Sequence, residues 1–227
     1  MKVSIIIPVY NEEASVAEVV RKVAALPLEK EVIVVDDGST DLTPEVLAEL
    51  GGQPEVRVVS LQQNQGKGVA VRTGFEHASG DVILVQDADR ELNPEEIPRL
   101  LAPFEEGRAD VVYGCRFAEG WGHVHRLNSF ANWFLSRFTN LLYGTNIRDM
   151  ETGFKVFPRS LLSRMHLVSK KFDLEAELTA KFARMGLKIE EVPVTFQPRT
   201  AHDGKKIHWT DGFRALGALI RHRFSEL

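Results

Sequence analysis

Apolar runs alternate with amphipathic stretches along the first half of the chain. Short runs of consecutive apolar residues are typical of strands covered on both faces, and they predict strands over residues 3–8, 31–35, 56–61, 81–85 and 110–113. Apolar residues at helical spacing between them predict helices over residues 12–26, 41–50, 67–78 and 94–104. This strand–helix alternation predicts an α/β fold with a mostly parallel central sheet and helices on both faces.

The pattern is less regular after residue 114. Residues 114–125 read as a loop, and they are followed by a predicted helix over Arg126–Tyr143. A helix over 171–185, a strand over 188–196 and a basic loop over 197–206 come next. The chain ends with an amphipathic helix over Trp209–Phe224. Because there is no internal repeat or linker, we expect one domain over residues 1–227.

The segment after the fourth predicted strand carries the strongest chemical signal. It reads Gln-Asp-Ala-Asp-Arg-Glu over residues 86–91. In an extended segment alternate side chains point the same way, so Asp87, Asp89 and Glu91 are expected to converge. Three carboxylates at the mouth of a parallel sheet suit Mg²⁺ or Mn²⁺. The alternative is an acidic turn that caps the next helix, with Glu91 or Asn93 as the cap.

Two other predicted strands end in polar residues at the same edge. Residues 8–13 (Pro-Val-Tyr-Asn-Glu-Glu) follow the first strand, and residues 36–41 (Asp-Asp-Gly-Ser-Thr-Asp) follow the second. Asp36 and Asp37 are placed to bond the ribose or base of a nucleoside, and Gly38 permits a tight turn. Residues 64–68 (Asn-Gln-Gly-Lys-Gly) lack the spacing of a phosphate-binding P-loop. Ligands in such folds bind beyond the carboxyl ends of the strands.

Charge and cysteine content narrow the picture further. Residues 1–113 carry 10 Lys/Arg against 21 Asp/Glu, whereas residues 114–227 carry 18 against 11. The basic second half indicates either an anionic ligand or simply solvated helix faces. The single cysteine, Cys115, excludes an internal disulfide and suits a reducing compartment. We expect it to be a buried apolar residue.

The hydropathy of the sequence indicates where in the cell the protein is expected. We find no signal peptide and no run of about 18 apolar residues, so we expect a cytoplasmic protein. Membrane contact would then be peripheral, on the inner face of the cell membrane, or supplied by a membrane partner subunit. The apolar stripe of Arg126–Tyr143 is the candidate surface for such contact, and packing against the sheet is the alternative.

The motifs together resemble family 2 glycosyltransferases of the GT-A fold. The segments at 8–13, 36–39, 64–68 and 86–89 occur in the family's order. Residues 112–117, 149–157 and 203–207 are similar to the dolichyl- or polyprenyl-phosphate mannose synthase branch. The resemblance implies a nucleotide-sugar-binding half over 1–113 and an acceptor-binding half over 114–227.

The resemblance also implies roles for individual residues. Donor-binding positions are Pro8, Tyr10, Glu12, Asp36, Asp37, Lys67, Gln86, Asp87, Ala88 and Asp89. Metal ligands are Asp87, Asp89 and Glu91, the last at a position where many relatives have Gln. Acceptor and phosphate contacts are Arg116, Arg126, Arg199 and Lys205, with Lys206 as the alternative to Lys205. Catalytic positions are Asp89, Asp149 and Arg116.

The implied reaction is metal-dependent, inverting transfer of a hexose, mannose favoured, from GDP-mannose or UDP-glucose to a polyprenyl phosphate. A phosphate monoester is already largely dianionic at neutral pH, so it needs positioning and charge neutralisation more than a base. The alternative is a soluble family 2 enzyme that glycosylates a hydroxyl and needs a carboxylate base such as Asp149. A nucleotidyltransferase and a non-catalytic nucleotide-sugar-binding subunit are weaker alternatives, and no nucleic-acid partner is expected.

Overall fold

The structure is a computed structural model that describes residues 1–117, 126–199 and 209–225, without the side chains of 126–128 and 209. Within these residues, seven strands form one sheet in the order β3-β2-β1-β4-β6-β5-β7. The strands are β1 (Val3–Val9), β2 (Lys30–Asp36), β3 (Val56–Ser60), β4 (Val82–Val85), β5 (Val111–Cys115), β6 (Lys155–Pro158) and β7 (Ile189–Pro193). The α-helices are α1 (Val16–Ala24), α2 (Thr43–Leu50), α3 (Lys67–His77), α4 (Ile97–Glu105), α5 (Arg126–Tyr143), α6 (Asp173–Arg184) and α7 (Trp209–Phe224).

The predicted α/β architecture is confirmed, with one strand added. Strand β6 was not predicted, and it runs antiparallel to both of its neighbours, β4 and β5. Its four residues, Lys-Val-Phe-Pro, include a lysine and a proline, so unlike the equally short β4 they do not form an uninterrupted apolar run. Helix α1 begins at Val16, four residues later than predicted, because Asn11 has a φ of 49° and the residues after it form a turn.

Two hydrophobic layers cover the two faces of the sheet. Strand β1 is buried along its whole length, so its apolar run matches the expectation for a central parallel strand. Helix α1 packs its apolar face, Val16, Val19, Val20 and Val23, into the layer on one side. Helices α3 and α6 contribute to the layer on the other side. Among the described residues, no helix has the length and apolar character needed to cross a bilayer.

The register of the sheet brings the expected polar segments to one edge. Val9 at the end of β1 lies opposite Asp36 at the end of β2, and Ile6 lies opposite Val85 at the end of β4. Strands β4 and β5 are both antiparallel to β6 and are therefore parallel to each other. The segment that begins at Arg116 consequently leaves the sheet on the same edge as the segment that begins at Gln86.

Close contact between α3 and β1 depends on a glycine. A Cβ atom added to Gly74 would lie 2.3 Å from Cγ2 of Ile6, a side chain that is fully buried in the sheet. Atoms in a close-packed core do not approach to this distance, so an added methyl group forces α3 away from β1.

We expect Gly74→Ala to lower the free energy of unfolding by about 1–3 kcal/mol through overpacking. Gly217→Ala is the matched control, because Gly217 also lies in a helix but has open space at its Cβ position. There the substitution should raise stability by up to about 1 kcal/mol. Urea denaturation of both variants measures the difference, and equal midpoints would contradict the packing argument.

Candidate active site

A cavity of about 440 Å³ opens at the carboxyl ends of β1, β2 and β3. Tyr10, Asp36 and Ser39 line it on one side, and residues 60–64 line it on the other. Its size falls within the range of small-molecule sites, and carboxylate, hydroxyl and amide groups around it can bond a nucleoside. Gly38 makes the predicted tight turn at its rim with a φ of 68°.

The two aspartates after β2 have different surroundings. Asp36 uses Oδ1 to accept the backbone N–H of Ser39, at 3.0 Å. Asp37 accepts the backbone N–H groups of Gln65 and Gly66, each at 2.8 Å, so both of its oxygens hold the loop that leads into α3. Asp36 therefore lines the cavity, whereas Asp37 holds in place the loop that follows the cavity-lining residue Asn64.

Asp87 is held by a buried network of ion pairs. Its Oδ1 lies 2.7 Å from Nζ of Lys67, which also lies 3.2 Å from Oε1 of Glu175. The other oxygen of Glu175 lies 2.6 Å from Nζ of the buried Lys155. Burial by itself raises the pKa of Asp87, but the positive charge of Lys67 outweighs that effect, so the pKa is lowered overall. A Cβ atom on Gly153 would lie 2.1 Å from Oδ2 of Asp87, so the carboxylate is enclosed on that side as well.

Asp89 and Glu91 face a different cation. The guanidinium of Arg199 donates to Oδ2 of Asp89 at 2.6 Å and to both oxygens of Glu12, at 2.9 and 3.2 Å. The backbone N–H of Arg199 donates to Oε1 of Glu91 at 2.8 Å. Burial and the neighbouring charges of Asp87 and Glu91 raise the pKa of Asp89 to about 7.

The structure does not bring Asp87, Asp89 and Glu91 around a common point. Oδ1 of Asp89 accepts the backbone N–H of Glu91 at 3.0 Å, so the segment bends and its side chains do not alternate as in a strand. Within the described part of the chain, no three His, Cys, Asp or Glu side chains form a ready metal site. The carboxylate oxygens at this edge still suit a divalent ion. A cationic group already bridges Asp89 and Glu12, and the negative charges of neighbouring carboxylates surround Asp89.

Arg116 and Asp149 form a buried, two-pronged ion pair. Oδ2 of Asp149 accepts Nε of Arg116 at 2.8 Å, and Oδ1 accepts a terminal nitrogen of the guanidinium at 2.7 Å. Oδ2 also accepts the backbone N–H of Arg116, at 2.9 Å. The guanidinium lies against the rings of Phe117 and Phe196, which fix its plane. Both oxygens of Asp149 are engaged, so it orients Arg116.

Among the described residues, Glu151 forms no ion pair with a cationic side chain. Its Oε1 is buried and has no hydrogen-bond partner in the part of the chain that the structure describes, and burial raises the pKa of Glu151 to about 7. Arg116, Lys67 and Lys155 each lower that pKa, whereas the charge of Glu175 raises it. A protonated or readily protonated carboxyl group next to a cluster of ions is a candidate for proton transfer.

Glu175 and Lys155 were missed from the sequence. Glu175 lies within a helix that reads as amphipathic, and Lys155 lies in the strand that was not predicted. Lys155 also donates to the backbone carbonyls of Met150 and Thr152, at 2.9 and 2.7 Å, which fixes the segment that carries Asp149. The only signal available was the charge itself, a lysine inside the apolar run Phe-Lys-Val-Phe over residues 154–157.

The remaining predicted site residues take varied positions. Pro8 lies within the buried strand β1, and Ala88 is buried behind the bend after β4. Gln86 is fully buried and donates to the backbone carbonyl of Asp87 at 2.9 Å. Cys115 is buried as expected, and burial raises its pKa to about 12, which leaves it inert as a nucleophile. The Arg126 side chain, Lys205 and Lys206 lie outside the described residues.

Comparison of the fold and the sequence with known proteins supports the resemblance drawn from the motifs. Glucosyl-3-phosphoglycerate synthase from Mycobacterium tuberculosis, solved with UDP, superposes with a TM-score of 0.78 at 22% identity. The alignment covers 98% of this chain and 80% of that structure, and this likeness shows the GT-A fold.

Two curated relatives match most of the chain. Dolichol-phosphate mannosyltransferase of Pyrococcus furiosus is 33% identical over 90% of this chain and 59% of the relative. Undecaprenyl-phosphate 4-deoxy-4-formamido-L-arabinose transferase of Salmonella enteritidis PT4 is 33% identical over 90% of this chain and 62% of the relative. The chain therefore spans about three fifths of the length of these relatives.

A match to the sequence model of a whole protein family, and not a match to one relative, shows which family the chain belongs to. The family model described as glycosyl transferase family 2 matches residues 4–165, which is well over half of the chain and includes the ends of β1 to β5. The chain belongs to glycosyl transferase family 2.

Proposed function

We propose that this protein transfers a hexose, mannose favoured, from a nucleotide-sugar donor to a polyprenyl phosphate, with inversion at the anomeric carbon and with Mg²⁺ or Mn²⁺. The observation that carries the proposal is the fixed guanidinium of Arg116 on the same sheet edge as the Asp87–Asp89 segment. Arg116 is close enough to lower the pKa of Asp87. A rigid, planar cation beside the donor site suits a phosphate acceptor.

The residues of the cavity would bind the nucleoside of the donor. Tyr10, Asp36 and residues 60–64 line that cavity, and the Asp87–Asp89 segment follows the neighbouring strand. Asp89 and Glu91 would hold a divalent ion with the donor diphosphate, and Asp87 would be oriented toward it by Lys67. When bound, such an ion supplies positive charge to the leaving diphosphate. The structure of glucosyl-3-phosphoglycerate synthase, which has a similar fold, has been solved with Mn²⁺, UDP-glucose and phosphoglyceric acid, and this supports the assignment.

The acceptor phosphate would lie against Arg116, with Arg126, Arg199 and Lys205 as further cationic positions. An already ionised phosphate oxygen attacks the anomeric carbon from the face opposite the leaving group, so no protein base is required. Asp149 keeps both oxygens on Arg116 and so acts as its positioning residue. The two relatives whose names include a polyprenyl phosphate support this choice of acceptor, and one of them is named as a mannosyltransferase.

The structure offers one observation in favour of a hydroxyl acceptor. Glu151 is buried, its Oε1 has no hydrogen-bond partner among the described residues, and its pKa is raised to about 7, as a general base for an alcohol would require. The phosphate-acceptor and hydroxyl-acceptor hypotheses therefore differ in the role of a single residue. Glu151 is needed for an alcohol acceptor and is dispensable for a phosphate acceptor.

We further propose that the protein works at the cytoplasmic face of the cell membrane. On α5, Phe130, Trp133 and Phe134 are exposed at helical spacing, with Phe130 64% exposed and stacked on Trp133 at 5.7 Å. Leu135 of the same helix is buried, so only part of the apolar stripe packs on the protein. Exposed aromatic rings on one helix face are typical of proteins that rest on lipid.

Removal of divalent ions with EDTA should abolish transfer, and Mn²⁺ or Mg²⁺ should restore it. We expect Asp89→Asn to lower kcat/KM on the order of 10²-fold or more, because the leaving diphosphate loses its charge support. Asp110→Asn, an exposed aspartate elsewhere, is the control and should leave the rate unchanged. Full activity of Asp89→Asn in EDTA would contradict the metal assignment.

The acceptor is tested by offering the purified protein a polyprenyl phosphate and the corresponding polyprenol, each with GDP-mannose or UDP-glucose. We expect product only with the phosphate. Arg116→Lys should lower kcat/KM for that acceptor about 10–100-fold, because lysine cannot reproduce the two-pronged contact. Glu151→Gln should change it by less than about threefold, since no general base is needed. Product with the polyprenol that disappears in Glu151→Gln would establish the hydroxyl reading instead.

Vesicle sedimentation tests the membrane surface. We expect the double variant Phe130→Ser, Phe134→Ser to bind anionic vesicles at least tenfold more weakly, because about 1.5–3 kcal/mol is lost for each ring that no longer enters the lipid. Leu42→Ser is the control, since Leu42 is 62% exposed on the other half of the chain. Equal vesicle binding by wild type and the double variant would contradict the proposal.

A further inference from the structure

Arg199 forms a clasp across the acidic end of the sheet. The clasp consists of its guanidinium on Glu12 and Asp89, together with its backbone N–H on Glu91. Glu12 follows β1, whereas Asp89 and Glu91 follow β4, so one side chain joins two strand ends. The Arg199 side chain is only 18% exposed, and the side chains of Asp89 and Glu12 are each 11% exposed.

The clasp occupies one of the two carboxylate oxygens with which Asp89 would bind a divalent ion. Oδ1 of Asp89 already accepts the backbone N–H of Glu91, and Oδ2 accepts Arg199 at 2.6 Å. An ion that binds Asp89 through Oδ2 must therefore displace the guanidinium or share the oxygen with it. Two positive charges on one carboxylate oxygen repel each other strongly in a partly buried site.

Charge balance explains why a cationic side chain lies among these carboxylates. Glu12 and Asp89 both pair with the guanidinium of Arg199, and Glu91 lies beside its backbone N–H, so several carboxylates share this part of the site. Repulsion between such groups is costly without a counter-charge. Arg199 supplies one positive charge. A divalent ion brings two, and once it binds, the arginine is free to bind another anion, such as the phosphates of a donor or an acceptor.

We propose that Arg199 is an exchangeable counter-ion: it closes the acidic site before the donor binds and is released when a divalent ion takes its place. When the divalent ion binds beside the donor, Arg199 is released and becomes available to the phosphates. This inference rests on the proposed function in one respect, that a divalent ion acts at Asp89. A purely structural ion pair would instead hold the chain after β7 in place and would not affect metal affinity.

The test is the affinity for Mn²⁺ alone, measured by electron paramagnetic resonance of the free ion, without donor, acceptor or turnover. We expect Arg199→Gln to bind Mn²⁺ at least tenfold more tightly than wild type, because the competing charge is gone. Arg199→Lys should fall between the two, since a lysine cannot bridge Glu12 and Asp89 in the same way. The thermal melting temperature of each variant reports whether it is folded.

Arg90→Gln is the matched control. Arg90 lies between Asp89 and Glu91 in the sequence and is 57% exposed, and it pairs with Glu18 rather than with the clasp. The same loss of charge there should leave Mn²⁺ affinity within about twofold of wild type, as expected for a screened surface charge. Tightening by Arg90→Gln equal to that of Arg199→Gln would show a general charge effect and would overturn the clasp.

Other outcomes are equally decisive. Unchanged or weaker Mn²⁺ binding by both Arg199→Gln and Arg199→Lys would overturn the proposal, as would absence of Mn²⁺ binding in every variant. Because no acceptor is present, a wrong assignment of the polyprenyl phosphate leaves this result unaffected. Failure of transfer to a lipid phosphate, with the expected order of Mn²⁺ affinities, would refute the proposed function and leave the exchange of cations standing.

Discussion

The constraint on which the site depends is the accumulation of carboxylates at one edge of a parallel sheet. Like charges this close cannot all remain ionised in a partly buried place unless positive groups offset them. In the part of the chain that the structure describes, such groups come from several different elements. Lys67 at the start of α3 offsets Asp87, Arg199 after β7 offsets Asp89 and Glu12, and Arg116 after β5 offsets Asp149. Charge compensation therefore determines which segments meet around the site.

These ion pairs specify an arrangement more than they add stability. Burying a pair costs nearly as much desolvation free energy as its attraction returns, whereas losing one partner leaves an isolated buried charge. The chain from Asp87 through Lys67 and Glu175 to Lys155 illustrates this, because each member neutralises the next. Since Lys155 also binds the carbonyls of Met150 and Thr152, the position of Asp87 is tied to the segment that carries Asp149.

Much of the fold could be read from the sequence because the parallel strands are apolar along their length and are punctuated by polar motifs. The carboxyl-end location of Asp36, Asp87 and Asp89 followed from that pattern. What failed was local geometry. The alternation assumed for residues 86–91 depends on an extended backbone, and the Asp89 side chain bonds to the Glu91 N–H instead. Cross-chain partners such as Glu175 could not be found, because contacts between distant residues leave no mark in a local pattern.

The place of β6 in the sheet has a consequence for how the chain is made. Among the described residues, the partners of strand β5 are β6 and β7, and both follow it in the sequence. As the polypeptide leaves the ribosome, β1 to β4 can pair at once, but Val111–Cys115 has no strand to join until Lys155–Pro158 has been synthesised. During that interval the nascent chain carries an apolar strand whose edges are unpaired, which is the kind of surface that favours aggregation.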